Sequence, residues 1–321
     1  MVLRRVLLTA LAVFVCAAAQ AQNYPDRPIR LIAPFPAGGL ADVLARAVGD
    51  EMSKTLGQPV IVENRAGAGG NTGADAVAKA APDGYTLLMS SAGILTANPF
   101  LYATMPFDVE TAFVPVSNVA DMSMLVVVNP KVDAKTLKEF VALAKAQPGK
   151  INFGSPGIGT TGHLGLAMLM HAADIKITHV PYRGAAPAVT DLIAGQIDGV
   201  VDNPPTVIAH IQSGKVRPLA VAAKQRMALL PDVPTAAEQG FASYEASSWF
   251  GVAAPAGTPP AIVAKLHQAI AAAVRTPAMQ DRFSKSGARL VGDSPQEFAA
   301  QIRAERVRWG EIIKAANITP Q

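Results

Sequence analysis

Cysteine is all but absent. The single one in the 321-residue chain is Cys16, and it lies in an N-terminal stretch where Arg4 and Arg5 precede the apolar run Val6 to Ala19, closing on Ala19-Gln20-Ala21. A basic start, a short apolar run and a small-residue end are the marks of a secretory signal peptide over residues 1–21. Val15, just before Cys16, does not suit a lipoprotein cleavage site. With the leader removed near Ala21 no thiol remains, so a disulfide framework, a cysteine metal site and a cysteine nucleophile are excluded, as suits an oxidising compartment. Long apolar runs are lacking beyond the leader, so no later segment is expected to span a membrane. Aromatic residues make up 6% of the chain although half of it is hydrophobic. Such a core is built from Ala, Val, Leu and Ile in α/β layers rather than as an aromatic-rich sandwich. Charge of one sign is also missing: the formal +4 falls to +2 when Arg4 and Arg5 leave, and no Lys/Arg cluster offers a surface for nucleic acid or anionic lipid.

What the chain does carry is glycine between strands and helices. The first such stretch is Pro34-Phe35-Pro36-Ala37-Gly38-Gly39-Leu40-Ala41-Asp42, between the apolar run Ile29 to Ala33 and a helix whose apolar positions Leu40, Val43, Leu44, Ala47, Val48, Met52 and Leu56 recur at helical spacing up to Gly57. Glycines let backbone N–H groups approach a ligand closely, and the helix N-terminus behind them adds partial positive charge, so the loop reads as a cradle for a carboxylate or phosphate. Asp42 is placed to cap the same amides if Gly39 is the N-cap, which would make the loop a capped turn. The strand Val60 to Val62 leads to a second glycine loop, Gly67 to Gly73, and an Ala-rich helix to Ala80. That loop misses the dinucleotide fingerprint, with Thr72 where a glycine is required. The strand Tyr85 to Met89 ends in Ser90-Ser91-Ala92-Gly93, small residues suited to a pocket wall, and 97–115 reads as loop and short turns.

Met124 to Val128 reads as a strand crossing into a second lobe, where the alternation repeats. Strand Ile151 to Phe153 runs into Gly154-Ser155-Pro156-Gly157-Ile158-Gly159-Thr160-Thr161-Gly162-His163 and the helix Leu164 to Ala173, a second anion cradle with hydroxyl donors at Ser155, Thr160 and Thr161. Strand Lys176 to Pro181 leads through Arg183 to the helix Ala186 to Ala194. Strand Ile197 to Val201 ends in Asp202-Asn203-Pro204-Pro205, and Phe250 to Ala254 returns to the first lobe. The expected division is therefore 22–123 with 249–321 as lobe 1, and 124–248 as lobe 2. The two cradles echo each other without a fixed-period repeat.

Catalytic signatures are thin. Ser155 follows Phe153-Gly154, where a nucleophile elbow needs a glycine at 153. The five histidines lack paired metal-ligand spacing, so neither a metal nor a cofactor is expected. Arg183, on a strand-to-helix loop, suits a bidentate carboxylate clamp or, equally, a structural salt bridge. Small polar loops at strand ends in both lobes and no catalytic set point to a binding protein that holds its ligand between the lobes.

Taken in order, Pro34-Phe35-Pro36-Ala37-Gly38-Gly39 with Asp42 and Arg46, Glu63-Asn64-Arg65 with Gly67-Ala68-Gly69-Gly70, Pro82-Asp83-Gly84-Tyr85, and Gly154-Ser155 through Gly159-Thr160 to His163-Leu164 resemble the Bug family. So do His179-Val180-Pro181-Tyr182-Arg183-Gly184, Pro234-Thr235 with Glu238 and Gly240, and Trp249-Phe250-Gly251 with Ala254 to Pro259. That family comprises the extracytoplasmic solute receptors of tripartite tricarboxylate transporters, and the resemblance covers nearly the whole chain after the leader. It implies an α/β fold of the type II periplasmic-binding-protein kind, two lobes joined by two crossing strands and closing over a ligand. It implies a small carboxylate ligand (a di- or tricarboxylate, an acidic amino acid or an aromatic acid), membrane transporter subunits as partners, a periplasmic monomer, and no catalysis. Carried onto this chain, it puts Phe35, Ala37, Gly38 and Gly39 on one side of the ligand, with Ser155, Gly159, Thr160 and Thr161 opposite. Ser91, Ala92, Asp202 and Asn203 are expected to set specificity. Pro156 and the Thr160-Thr161 pair stand where the family carries a serine-rich form. The rival readings are a receptor that presents its ligand to a sensor kinase, and a secreted hydrolase using Ser155 or a threonine.

Overall fold

The computed structural model describes residues 24–285 and 287–315. The leader expected over 1–21, with Cys16, lies outside them. Two sheets organise the chain. The first consists of β1 (Ile29–Ala33), β2 (Val60–Asn64), β3 (Thr86–Ser91), β4 (Phe113–Ser123), β10 (Ser247–Pro255) and β11 (Arg289–Leu290), in the order β11-β4-β10-β3-β1-β2. The second contains β5 (Leu125–Val128), β6 (Asn152–Ser155), β7 (Thr178–Pro181), β8 (Gly199–Asp202) and β9 (Arg217–Val221), in the order β7-β6-β8-β5-β9. In each sheet three parallel strands meet an antiparallel fourth that has just arrived from, or is about to leave for, the other lobe. In the first sheet that strand is β10, which runs antiparallel to β3 and β4; in the second it is β5, antiparallel to β8 and β9. This exchange makes the two crossings between the lobes.

The helices form where the apolar spacing predicts them. Helix α1 (Leu40–Leu56) ends at Gly57 in the left-handed conformation and buries Leu44, Ala45, Val48 and Met52. That face packs with Leu266 and Ile270 of α8 (Pro260–Val274) in a cluster that includes Leu31, Leu87 and Val252 of the sheet. Between these lie α2 (Asn71–Ala78), α3 (Asn98–Leu101), α4 (Leu137–Ala146), α5 (Thr161–Ala173), α6 (Ala185–Ala194) and α7 (Pro204–Gln212), and α9 (Pro277–Ser284) follows α8. Helix α10 (Pro295–Ala315) touches both halves of the core. Phe298 and Ile302 join the cluster of Trp249, whereas Trp309 and Ile313 join that of Tyr244 and Ala246 in the segment leading back from the second sheet.

The stretch 97–115, expected as loop and short turns, holds the short helix α3 and at its end the first three residues of β4, which runs on to Ser123. Pro115 sits opposite Ala253 where the register with β10 shifts. A bulge is where a sheet tolerates a proline that cannot donate. Ser117 and Asn118 are fully buried, and both donate to one distant residue. Ser117 donates to the Asp293 carbonyl at 2.8 Å, and the Asn118 backbone N–H donates to the Asp293 carboxylate at 2.7 Å. The Ser117 hydroxyl thus finds its partner 176 residues away in sequence, a contact no local pattern announces.

The lobes meet directly at one side of the cleft. Tyr102 donates its hydroxyl proton to the Ile158 carbonyl at 3.0 Å. Beside it Gly93, in the π-turn Gly93–Ala97, lies so close to the Gly159 backbone that a β-carbon would collide with the Gly159 carbonyl oxygen. At the other side Pro36 faces Gly184, where an added β-carbon would come to 3.4 Å.

Candidate functional site

The first cradle is built largely by its own residues. Gly38 has φ +80, a conformation that an L-residue with a side chain adopts only under strain, and Gly39 is the N-cap of α1. Asp42, in the first turn, reaches back to accept the Gly38 N–H at 2.9 Å. It also accepts from the Asn64 side chain at 2.9 Å and pairs with Arg46 at 2.8 Å. Burial alone would raise its pKa, but the hydrogen bonds from Arg46, Gly38 and Asn64 outweigh that and hold it below the ordinary carboxylate value. The Gly39 N–H is turned to the Pro36 carbonyl at 3.3 Å. Both glycine amides are thus taken within the loop. The donors left for a ligand are the first-turn amides of Leu40 and Ala41, which have no acceptor four residues back and which line the cavity.

The second cradle divides in two. Thr160 is the N-cap of α5; its backbone N–H and its hydroxyl both donate to the Gly157 carbonyl, at 3.3 and 2.6 Å. Thr160 and Thr161 line the cavity. Ser155 lies beneath the loop, 1% exposed, with its hydroxyl 2.6 Å from His179 Nε2 and 3.1 Å from the Gly157 carbonyl. The serine–histidine contact is one the sequence does not suggest. It is closed to a substrate by that burial, and the histidine ring stacks on His163 at 4.3 Å rather than on a carboxylate. His163 accepts the Gly159 N–H at 3.3 Å.

Burial depresses His179 to about 4; burial, and then the neighbouring His179, depress His163 to about 3. Both rings are neutral in the fold and take up protons when it opens, so their contribution to stability is complete above about pH 6.5 and is lost as pH falls through the folded values. The melting temperature should decline between pH 6.5 and 4, and His179→Gln should flatten the decline. A variant with the same pH slope as the parent, followed by circular dichroism, would place the acid sensitivity elsewhere.

The cavity between the lobes has a volume of about 570 Å3. Of the residues singled out in the sequence, Phe35, Ala37, Gly38, Gly39 and Ser91 line it from the first lobe. Thr160, Thr161, Arg183, Asp202 and Asn203 line it from the second. Asp42, Ala92, Ser155 and Gly159 do not. Asp42 and Ser155 are turned back into their loops, Ala92 packs in the cluster of Ile32 and Trp249, and Gly159 faces Gly93 and Asn98 across the cleft.

The sequence reading missed several wall residues. Val189 and Ile193 present the apolar face of α6, while Arg282 and Phe283 arrive from α9. The spacing of Val189 and Ile193 was visible as helix periodicity, but nothing local places 282–283 at the cleft. Arg183 forms no ion pair among the described residues. Asp202 is 2% exposed, and burial pushes its carboxyl up to about 6, offset in part by the Asn203 N–H that it accepts at 2.7 Å.

Comparison with known proteins bears on this architecture. The profile of the tripartite tricarboxylate transporter family receptor matches residues 44–318. Protein BugT of Bordetella pertussis (strain Tohama I) is 39% identical over 314 residues, 96% of each chain. An R. palustris protein solved with adipate superposes with a TM-score of 0.89 at 36% identity, covering 93% of this chain and all of its own. MatC from Rhodopseudomonas palustris, solved with bound malate, gives a TM-score of 0.86 at 33% identity, covering 90% of this chain and all of its own. The two-lobed arrangement is that of the periplasmic binding proteins, and no helix among the described residues is long and apolar enough to cross a membrane. With the family profile matched over most of the chain and relatives matched end to end, this chain belongs to the tripartite tricarboxylate transporter family of receptors, the Bug-type periplasmic proteins that bind solutes and are not enzymes.

Proposed function

We propose that this protein captures a small carboxylate in the periplasm and hands it, as a monomer, to the membrane subunits of a tripartite tricarboxylate-type transporter. The observation that carries the reading is the cavity itself. Free helix-terminal amides at Leu40 and Ala41 on one lobe face an unpaired Arg183 on the other, around a volume of about 570 Å3. Fixed dipoles and a guanidinium converge there on an anion without a counter-charge of their own. Phe35, Ala37, Thr160 and Thr161 complete the anion end, with Gly38, Gly39 and Asp42 holding the shape of the loop. Ser91, Asp202 and Asn203 form the end that discriminates among ligands. The lobes divide at 123/124 and 248/249, and residues 1–21 serve as the export leader. Two relatives solved with adipate and malate support a carboxylate as the ligand class. Binding stabilises the closed arrangement because the ligand touches both lobes at once, and the transporter reads closure.

A thermal-shift screen of ligand-free protein against mono-, di- and tricarboxylates, acidic amino acids and aromatic acids tests this. At a ligand concentration about 100 times Kd the stabilisation is about 2.7 kcal/mol, a shift of several degrees. A screen in which no carboxylate moves the transition would remove the receptor reading. Gly39→Trp should abolish the shift while leaving the unliganded melting temperature near that of the parent. The backbone at Gly39 is extended, so the backbone admits a side chain, and an indole there fills the space before the Leu40 and Ala41 amides. Undiminished binding by this variant would move the anion site away from α1.

A further inference from the structure

Resting on that receptor reading, we infer that the ligand carries, besides its carboxylate, a hydroxyl or ammonium group that donates hydrogen bonds to Asp202 and its neighbours in the cavity wall. Three wall residues hold buried side-chain oxygens with no partner among the described residues: Ser91 Oγ at the end of β3, Asp202 Oδ2 at the end of β8, and Asn203 Oδ1 at the N-cap of α7. The residues are 2%, 2% and 5% exposed. A buried oxygen left without a partner is costly, and a carboxylate oxygen more so. Among the described residues Asp202 has no ion pair; Oδ1 accepts the Asn203 N–H at 2.7 Å and the Thr206 hydroxyl lies close enough to ease the burial in part, which leaves Oδ2 without a partner. The Asn203 carbonyl meanwhile is occupied by Thr206, whose hydroxyl donates to it at 2.6 Å.

The chemical sense of the three atoms is the same. Asp202 and Asn203 offer acceptors, and Ser91 accepts as readily as it donates. A second ligand carboxylate brought against Asp202 would set like charges together without a donor between them. An O–H or N–H group would satisfy the orphaned oxygens, and an ammonium would also answer the charge. The cavity is therefore polarised: Arg183 and the start of α1 receive the anion, and the ends of β3 and β8 receive a donor. Among four-carbon diacids this favours the hydroxylated and aminated compounds over the plain chain. A site built to bond a hydroxyl or amine discriminates strongly against the analogue that lacks it, because its own buried groups are then left unpaired.

The test is calorimetric titration of refolded, ligand-free protein with two matched series, succinate, malate and aspartate, then glutarate, 2-hydroxyglutarate and glutamate. In the parent at least one hydroxyl- or amino-bearing member should bind about ten-fold or more tightly than its plain diacid. Asp202→Ala should collapse that ratio to near unity. Asp202→Asn, which keeps an acceptor oxygen without the charge, should retain preference for the hydroxyl and lose preference for the ammonium. Equal affinities within both series for the parent protein, or a ratio that survives Asp202→Ala in a variant with native circular dichroism, overturns the inference while leaving carboxylate capture intact. Failure of all six compounds and of the wider carboxylate screen overturns the receptor reading, and the inference falls with it.

Discussion

Gly93→Val should weaken binding of the best carboxylate from the thermal-shift screen by about 100-fold, with little effect on the unliganded fold. The reason lies in the approach of the lobes. Gly93 belongs to the first lobe and its obstacle across the cleft is backbone, the Gly159 carbonyl; the Asn98 side chain of its own lobe is 3.8 Å away. Gly159 is itself held by its N–H bond to His163, and its neighbour Ile158 is held by the Tyr102 hydroxyl. A carbonyl so fixed does not swing aside as a side chain would. Overpacking of this kind costs about 1–3 kcal/mol, and because the collision exists only when the lobes meet, the cost falls on the closed state alone. At the upper end that is about a hundred-fold in affinity. Titration calorimetry measures the loss, and small-angle scattering should show the variant keeping its unliganded radius when ligand is added. Parent-like affinity would mean that the ligand is held without this contact forming.

Asp202→Asn should stabilise the unliganded protein at pH 8 by about 3 kcal/mol and have little effect at pH 4. Burial raises the Asp202 carboxyl to about 6 in the fold, against about 3.9 in an unfolded chain. A raised acid favours the protonated fold. Its contribution is complete below pH 3.9 and is lost as pH rises through 6, so at pH 8 the wild-type protein carries an ionised, partly unbonded carboxylate that asparagine does not. Asparagine retains the oxygen that accepts the Asn203 N–H. The two depressed histidines act in the opposite direction, losing stability as pH falls, so the pH dependence must be read as the difference between variant and parent. Urea melts at the two pH values make that comparison, and an equal difference at both would show that Asp202 is not ionised under strain.

The local signals were legible residue by residue. Glycines at 38 and 57 mark positions where the backbone turns left-handed, the 3.6-residue spacing from Leu40 to Leu56 marks a helix, and the prolines and asparagines after β8 mark its end. These effects act over a few residues, so they survive in the bare sequence. The pattern of strand, small-residue loop and helix repeated in two halves was enough to predict two α/β lobes with a cleft between them, and the ordered motifs were enough to suggest the family. The start of strand β4 was not legible, because Pro115 argues locally against a strand and is accommodated only by the register shift opposite Ala253, far along the chain.

What the sequence by itself determined is most of the helices and strands, the confinement of cysteine to position 16, and the glycine-bearing loops at strand ends. The tertiary structure alone decided which groups remain free to act. Asp42 and Pro36 occupy the glycine amides, which shifts the open donors to Leu40 and Ala41; Ser155 is withdrawn onto His179; Arg282 and Phe283 enter the wall from α9; and Asp202 Oδ2 is left without a partner. Each of these depends on where hydrogen-bond partners and neighbours from distant segments come to rest once β5 and β10 have crossed between the sheets, and a donor's availability is a property of that whole arrangement, not of the residue that carries it.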